Sequence, residues 1–376
     1  MRTETATTTS QSSGDDYEIR WFCEGDKADF MSLHRETFPD GSDAWFDWKF
    51  LENPYLPETP IVVTEHDGDI VGARPNLAFQ MRAGDTYHTA LQSCDTMVHE
   101  DHRRQGLFSR MSERLFADYV DAQPAFTFNN PNPMTTAGLE KLGCDIAGEH
   151  TTYYRIQNPA AYASLDGRLV ETATASAASA YLAARDRHFD PPAEVSVTRH
   201  TETPAATLSG LYRRRPPSEI HAYRDEQFFE YRFGNPNWEY TAYTATLGDR
   251  PVAGVVTGTG QKEGHTVTNV ADVLPLVGGP ERDRALPAVF DRLVADHADS
   301  DVVAVRGTTV PHDLLTALGF HSDQRLPFAP MATPTRLVVS PIPPRAAGAS
   351  RAGISARWTT GGPPSSNTTP PRKRGF

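Results

Sequence analysis

Cysteine is scarce in this chain of 376 residues, which contains only Cys23, Cys94 and Cys144. An odd number of thiols without Cys-x-x-Cys spacing argues against a disulfide framework and favours free thiols in a reducing compartment. The sequence shows no secretory signal and no apolar run long enough to cross a membrane. We therefore expect a cytoplasmic protein.

Positive charge is also in short supply. The chain has 36 Lys and Arg residues against 48 Asp and Glu residues, which gives a formal net charge of −12. Such an acidic chain is poorly suited to neutralise phosphates, so we expect neither nucleic acid nor an anionic membrane as a partner. Most of its cations are arginines; the lysines are Lys27, Lys49, Lys141, Lys262 and Lys373.

A turn from a strand into a helix is the most informative feature that is present. Residues 90–98 read as an apolar strand, and Gly106 falls at the start of an amphipathic helix. The backbone N–H groups and the positive dipole at such a start favour an anion, and Arg103 and Arg104 add positive charge beside it. The helix buries apolar residues at helical spacing: Leu107, Phe108, Met111, Leu115, Phe116 and Tyr119.

The segment from Arg103 to Phe108 resembles the acyl-CoA signature of the GNAT acyltransferase superfamily. That signature has Arg or Gln, two residues, Gly, one residue, and then Gly or Ala. This chain departs from it at the last position, where the bulky Phe108 can still pack into the sheet. A glycine in such a turn also occurs for geometric reasons alone. The resemblance implies acyl-CoA contacts at Met97, Val98, Arg103, Arg104, Gln105, Gly106, Leu107, Phe108 and Asn130.

The order of elements from residue 17 to about 156 fits the layout of that family. Strands are predicted at 17–22, 61–64, 70–73 and 125–128, and a short helix ends at Leu142-Gly143. In the resembled family, the strand at 125–128 diverges from the strand before the signature and admits the pantetheine arm. Asn130 is placed to bond the pantetheine amide, although Asn and Pro also cluster in turns for local reasons.

The chain repeats itself after roughly 180 residues, which predicts two tandem copies of one fold. Residues 45–54 return as 228–236, residues 67–72 as 248–254, and residues 139–143 as 315–319. The fold class is α/β (α+β), with two GNAT-like domains, each a mixed, mainly antiparallel sheet flanked by helices. We predict disordered tails at 1–16 and 341–376, the first domain at 17–157, an Ala-rich helical linker at 158–193, and the second domain at 194–340.

The second copy lacks the phosphate turn. Residues 274–284 contain no Arg-x-x-Gly, and Pro280, Glu281 and Asp283 all disfavour an anion there. We expect this copy to be a structural partner or a wall of the acceptor site, with one acyl-CoA bound per chain.

Asp95 is the candidate general base. It is predicted on the strand before the turn, on the face of Leu91, Ser93 and Met97, and an acidic residue on this strand serves as base in some members of the resembled family. A strand carboxylate paired with a nearby cation is the structural alternative. The family's Tyr acid falls here on Leu139, which cannot donate a proton, so Tyr153 or Tyr154 is a possible substitute.

The sequence thus predicts an N-acetyltransferase that moves an acetyl or other acyl group from acetyl-CoA directly to an amine on a small molecule or peptide.

No metal is expected, because no third ligand follows His99 and His102 at a sequence spacing that is typical of metal sites. The alternative is a non-catalytic acyl-CoA-binding or scaffold protein, which Leu139 and the degenerate second copy favour. An aminoacyl or long-chain acyl transferase of related tandem fold would need another donor. No oligomeric state is predicted.

Overall fold

Two mixed β-sheets organise the molecule. The computed structural model describes residues 16–38, 41–119, 124–131, 136, 144–159, 161, 169–326 and 335–342. The predicted tails lie outside these residues, apart from Asp16, Pro341 and Ile342. The predicted short helix ending at Leu142-Gly143 and the position of Leu139 also lie outside them.

The first sheet has the strand order β1-β2-β3-β4-β6-β16-β7, with β5 and β10 pairing with β3. Its pairs are antiparallel except for β4 with β6, which is parallel. The strands are β1 Glu18–Trp21, β2 Ile61–His66, β3 Asp69–Ala83, β4 Thr86–Ser93, β5 Met97–Val98, β6 Phe126–Asn129, β7 Asp145–His150, β10 His221–Ala222 and β16 Thr335–Pro341.

The second sheet has the order β15-β8-β14-β13-β12-β11-β9, and only β13 and β14 are parallel in it. The predicted fold class, with two mixed and mainly antiparallel sheets, is therefore confirmed. The strands are β8 Thr152–Ile156, β9 Val195–His200, β11 Glu239–Leu247, β12 Arg250–Lys262, β13 His265–Leu274, β14 Val302–Arg306 and β15 His321–Ser322.

Helices accompany both sheets. One-turn 3-10 helices lie at Glu24–Asp26 and Glu100–His102, and a π-helical turn spans Asp47–Leu51. The α-helices are α1 Lys27–Thr37, α2 Asp43–Phe46, α3 Leu107–Asp118, α4 Leu169–His188, α5 Ala205–Arg214, α6 Glu226–Arg232, α7 Pro280–Asp296 and α8 His312–Ala317.

The two sheets exchange strands across the predicted domain boundaries. Strand β8, inside the predicted first domain, pairs with β14 of the second sheet. Strand β16 from the end of the chain lies between β6 and β7 of the first sheet. The sequence division follows the chain, whereas strand pairing joins its distant parts, so each sheet contains a strand from beyond the boundary.

The repeated aromatic segments pack against each other between the copies. Trp48 and Tyr231, which occupy equivalent positions of the repeat, stack with ring centroids 5.6 Å apart. The Trp48 indole donates to the Tyr231 carbonyl at 2.7 Å, and the Tyr231 hydroxyl donates to the Lys49 carbonyl at 3.0 Å. The equivalent Asn53 and Asn235 make the same turn, each accepting from the backbone N–H two residues later at 3.0 Å. The repeat therefore builds the contact between its own two copies.

Candidate functional site

The turn at Gly106 has the geometry that the sequence predicts. Gly106 precedes α3 with φ of 72° and ψ of 9°, a left-handed conformation that glycine adopts readily. A Cβ at Gly106 would meet no atom within 4 Å, and Arg103, Arg104, Gln105 and Gly106 are all exposed. The start of α3 is therefore a left-handed turn with open space beside Gly106, and the first N–H groups of a helix are the ones that can bind an anion.

Phe108, where the signature departs from its usual residue, packs beside a buried cation. Its ring centroid lies 5.3 Å from the guanidinium carbon of Arg74, and Phe116 lies 5.6 Å from the same carbon. Arg74 is only 1% exposed and also bonds Ser112 and Ser93. Burial lowers the pKa of Arg74 to about 10. The phenyl ring thus forms part of the contact between α3 and the first sheet.

Strands β4 and β6 pair in parallel over a short stretch, where the resemblance implies that the pantetheine arm enters. The pairing covers Ala90, Leu91 and Gln92 opposite Phe126, Thr127 and Phe128. On its other edge, β6 pairs with β16 from Phe126 to Asn129. Asn130 follows, and its side-chain oxygen is buried without a hydrogen-bond partner among the residues that the structure describes. An unbonded buried acceptor beside this opening fits an amide N–H of a ligand.

The predicted continuous strand at residues 90–98 is wrong, because it breaks after Ser93 and resumes at Met97. Three steps along β3, from Asn76 to Ala73, lie opposite four steps from Ser93 to Met97. The extra residue is a bulge, and Asp95 within it has φ of 42°. Leu91 and Met97 consequently pack in different clusters, so Asp95 does not share a face with both.

The bulge turns Asp95 towards a cavity between the two copies. The first copy contributes aromatic and polar side chains to this cavity, and the second copy contributes a similar set. The lining residues are Trp45, Trp48, Lys49, Leu77, Gln92, Cys94, Asp95, Arg232, Asn235, Trp238, Tyr240, Gly258, Asn269 and Ala271.

Asp95 forms an ion pair with Lys49 at this cavity. Only 8% of the Lys49 side chain and 18% of the Asp95 side chain are exposed, and the ammonium also lies 4.6 Å from the Trp45 ring centroid. Burial by itself would lower the pKa of Lys49, but the Asp95 carboxylate raises it above its usual value. Arg232 is near enough for its charge to oppose that rise. Lys49 is therefore held as a cation.

Cys94 lies next to Asp95 and is the thiol at the cavity. Burial raises the pKa of Cys94 to about 12, while Lys49 opposes the rise. A thiol with such a pKa stays protonated near neutral pH and is a poor nucleophile. This favours direct attack by an acceptor over an acyl-cysteine intermediate.

The equivalent carboxylate of the second copy is engaged differently. Asp272 follows Ala271 as Asp95 follows Cys94, but Asp272 pairs with Arg224 at 2.6 Å. Their side chains are 5% and 2% exposed. In the repeat, Gly41 stands where the second copy has Arg224. A buried arginine thus holds the second carboxylate, whereas the first one lines the cavity.

The second copy also fills the place of its phosphate turn. Gly279 precedes α7 with an extended φ of 178°, and Arg215 donates to the Gly278 carbonyl at 2.7 Å. A Cβ on Gly279 would lie 1.8 Å from a guanidinium nitrogen of Arg215. The side chain of Arg215 therefore covers this helix start, in contrast to the open turn at Gly106.

The sequence missed two site residues, Lys49 and Arg232, because they lie in an aromatic run that reads as core. The equivalence of these two positions in the repeat is the sequence feature that could have identified them as site residues. The suggested acids Tyr153 and Tyr154 belong to β8 of the second sheet and do not line the cavity. Within the described part of the chain, no group of three or more His, Cys, Asp or Glu side chains is arranged to hold a metal ion.

Comparisons with known proteins give the family of the first copy and the fold of most of the chain. The acetyltransferase (GNAT) domain family matches residues 18–147. No curated protein matches the chain. No helix among the described residues has both the length and the apolar character needed to cross a membrane.

Similar solved structures extend over most of the chain at low sequence identity. A GCN5-related N-acetyltransferase from Anabaena variabilis aligns with a TM-score of 0.59 and 10% identity, covering 87% of this chain and 73% of the other. One from Kribbella flavida gives 0.55 and 17%, with 86% and 70% covered. N-myristoyltransferase from Saccharomyces cerevisiae, with bound myristoyl-CoA, gives 0.56 and 11%, with 86% and 82% covered. These likenesses show the fold.

Proposed function

We propose that the protein is an N-acyltransferase, because the acetyltransferase (GNAT) domain family matches residues 18–147 and 87% of the chain aligns with the structure of a GCN5-related N-acetyltransferase. It takes an acetyl or other acyl group from acyl-CoA and transfers it directly to an amine. The observation that carries this proposal is the combination of an open turn at Gly106, a parallel pairing of β4 with β6 that is only three residues long, and the Asp95 carboxylate at the cavity.

The CoA pyrophosphate would lie on the N–H groups around Gly106, with Arg103 and Arg104 beside it. The pantetheine arm would follow the opening between β4 and β6, where the buried Asn130 oxygen accepts an amide N–H. This course leads the thioester towards the bulge at Asp95. The acceptor amine would enter from the cavity on the other side.

The chemistry needs no covalent enzyme intermediate. The amine lone pair attacks the thioester carbonyl carbon, the C–S bond breaks, and the CoA thiolate leaves and takes a proton from solvent. Asp95 receives the proton that the amine loses, as a general base does. Because Cys94 stays protonated, incubation with acetyl-CoA alone should leave the protein mass unchanged.

A matched pair of substitutions tests acyl-CoA binding. Gly106→Asp places a negative charge beside the phosphate site, while Gly106→Asn has nearly the same shape, tolerates a left-handed backbone and carries no charge. A carboxylate placed this close to a bound phosphate should reduce the binding free energy by on the order of several kcal/mol. Calorimetry should show one acetyl-CoA per wild-type chain, weaker binding for Gly106→Asn and none for Gly106→Asp.

Folding of each variant is checked by its thermal transition. Native acetyl-CoA affinity in folded Gly106→Asp would remove the basis of the acyltransferase proposal. Two equivalent CoA sites would contradict the assignment of the first copy alone.

A non-catalytic acyl-CoA-binding protein is the second candidate, because the Asp95 carboxylate is already engaged in a buried ion pair with Lys49. Thioester turnover separates the two. Acetyl-CoA binding without turnover across a broad amine panel would favour this candidate.

A further inference from the structure

We propose that the acceptor is an amine that carries its own carboxylate next to an apolar body, as a free amino acid such as leucine or phenylalanine does. Arg232 of the second copy binds that carboxylate, and Asp95 of the first copy faces the amine. This inference rests on the proposed acyl transfer and names the class of acceptor.

The charge of the cavity is the first argument. Three charged side chains line it: Lys49 and Arg232 are cations, and Asp95 is an anion. The lining thus has a formal charge of +1. Lys49 and Arg232 are 7% and 9% exposed, so solvent screens these charges poorly. A ligand with one negative charge is favoured here, and one with an additional positive charge is disfavoured.

The repeat shows how the second cation comes to line the cavity. Lys49 and Arg232 are equivalent positions, and so are Asp95 and Asp272. In the first copy the cation and the carboxylate pair with each other. In the second copy Arg224 pairs with the carboxylate, and Arg232 lines the cavity together with Tyr240, whose phenol it bonds. A guanidinium has five N–H donors, which allow it to bind a phenol and a carboxylate together.

The protonation state of the acceptor follows from the same charges. An amine attacks only when it is neutral, and a neutral amine with a carboxylate has a net charge of −1. That charge balances the cavity. An ordinary ammonium would instead raise the total to +2 next to Lys49 and Arg232. The cavity therefore favours the reactive form of an amino carboxylate and opposes the resting form of a simple amine.

Aromatic rings make the rest of the wall. Trp45 and Trp48 come from the first copy, and Trp238 and Tyr240 from the second. Gly258 of β12 makes room for one of these rings, because a Cβ there would lie 2.9 Å from a ring carbon of Tyr240. Such walls bury an apolar side chain better than a polar one. On acylation, the N–C bond forms, the C–S bond breaks, and the amine proton passes to Asp95.

Two matched pairs of ligands test the proposal. L-leucine is compared with 3-methylbutylamine, and L-phenylalanine with 2-phenylethylamine, because each pair differs only in the carboxylate. Binding to the full chain loaded with CoA is measured by calorimetry, and acyl transfer from acetyl-CoA by mass detection. The variants are Arg232→Met and Arg232→Lys, with Arg250→Met as a control at an exposed arginine that pairs with Glu281 outside the cavity.

At least one carboxylate member should bind ten-fold or more tightly than its amine in the wild type and in Arg250→Met. The preference should fall below about three-fold in Arg232→Met and be intermediate in Arg232→Lys. Equal or tighter binding of both simple amines in the wild type overturns the proposal whether or not the variants fold. An unchanged preference in folded Arg232→Met also overturns it.

Failure of the proposed function gives a different result. Amino-acid binding with the expected preference, but no acetyl-CoA binding, would refute the transferase and retain the cavity assignment. Acetyl-CoA turnover with simple amines alone would retain the transferase and refute the cavity assignment.

Discussion

The two copies share one fold and use their equivalent carboxylates in opposite ways. Asp272 lies in a buried pair with Arg224, where it fixes the second copy internally. Asp95 lies in a bulge with φ of 42° and lines the cavity between the copies. The helix starts differ in the same sense, since Gly106 is open and Arg215 covers Gly279. In the part of the chain that the structure describes, the two copies therefore share their contact segments and differ in the partner of the carboxylate and in the access to the helix start.

Asp95→Asn gives the largest effect if the first copy is the catalytic one. Loss of a general base should lower acyl transfer by roughly 10²- to 10⁴-fold, while acetyl-CoA affinity stays within a few-fold. Steady-state rates and calorimetry on the same sample measure both. Wild-type turnover across pH would assign Asp95 to the ion pair alone.

Asp272→Asn should affect stability instead. It leaves the Arg224 guanidinium buried without its carboxylate, which costs about 3–5 kcal/mol in the free energy of unfolding. Denaturant unfolding measures the loss. The double variant Arg224→Met with Asp272→Leu removes both charges and should recover much of it. If Asp272→Asn were neutral, the contrast between the two carboxylates would not hold.

Acid should weaken the junction at which the second copy adds β10 to the first sheet. Nδ1 of His221 donates to the Glu219 carbonyl at 2.6 Å, so Nε2 accepts from the Tyr212 hydroxyl at 2.7 Å. Burial lowers the pKa of His221 to about 4, with the Glu219 bond opposing the shift and the charges of Arg224 and Arg82 adding to it. Because this pKa lies below the unfolded value of about 6.5, the unfolded chain binds the proton first.

This contribution to stability is complete above pH 6.5 and is lost as the pH falls towards 4. His221→Gln should therefore reduce the stability difference between pH 6.5 and pH 4 by about 3 kcal/mol. Denaturant unfolding at the two pH values measures it, with His188→Gln as a control at an exposed histidine. An equal pH dependence in wild type and His221→Gln would contradict this account.

Arg104→Gln should give the smallest effect. Arg104 is exposed beside the open turn, so removal of its charge should weaken acetyl-CoA binding only a few-fold, and less at high salt as the charge is screened. Arg104→Lys keeps the charge and should bind nearly as the wild type does. An effect that grows with salt would exclude a simple electrostatic contact.

Local patterns predicted the turn and the sheet class, because helix periodicity, a glycine and strand alternation depend on neighbouring residues. The break at Cys94 was not predictable in this way, since a bulge depends on the register of the partner strand β3. The same holds for the exchange of β8 and β16, whose partners lie far away in sequence. Lys49 and Arg232 become site residues only when the two repeats face each other.

The position of β16 has a consequence for synthesis. Residues 335–341 fill the gap between β6 and β7, so the sheet that holds the Gly106 turn is complete only when nearly the whole chain has been made. Until then β6 and β7 present unpaired edges, which are prone to associate with other strands. All strands of the second sheet lie between residues 152 and 322, so this sheet can form before β16 is made. Translation thus completes the first sheet after the second one, although most strands of the first sheet are made earlier.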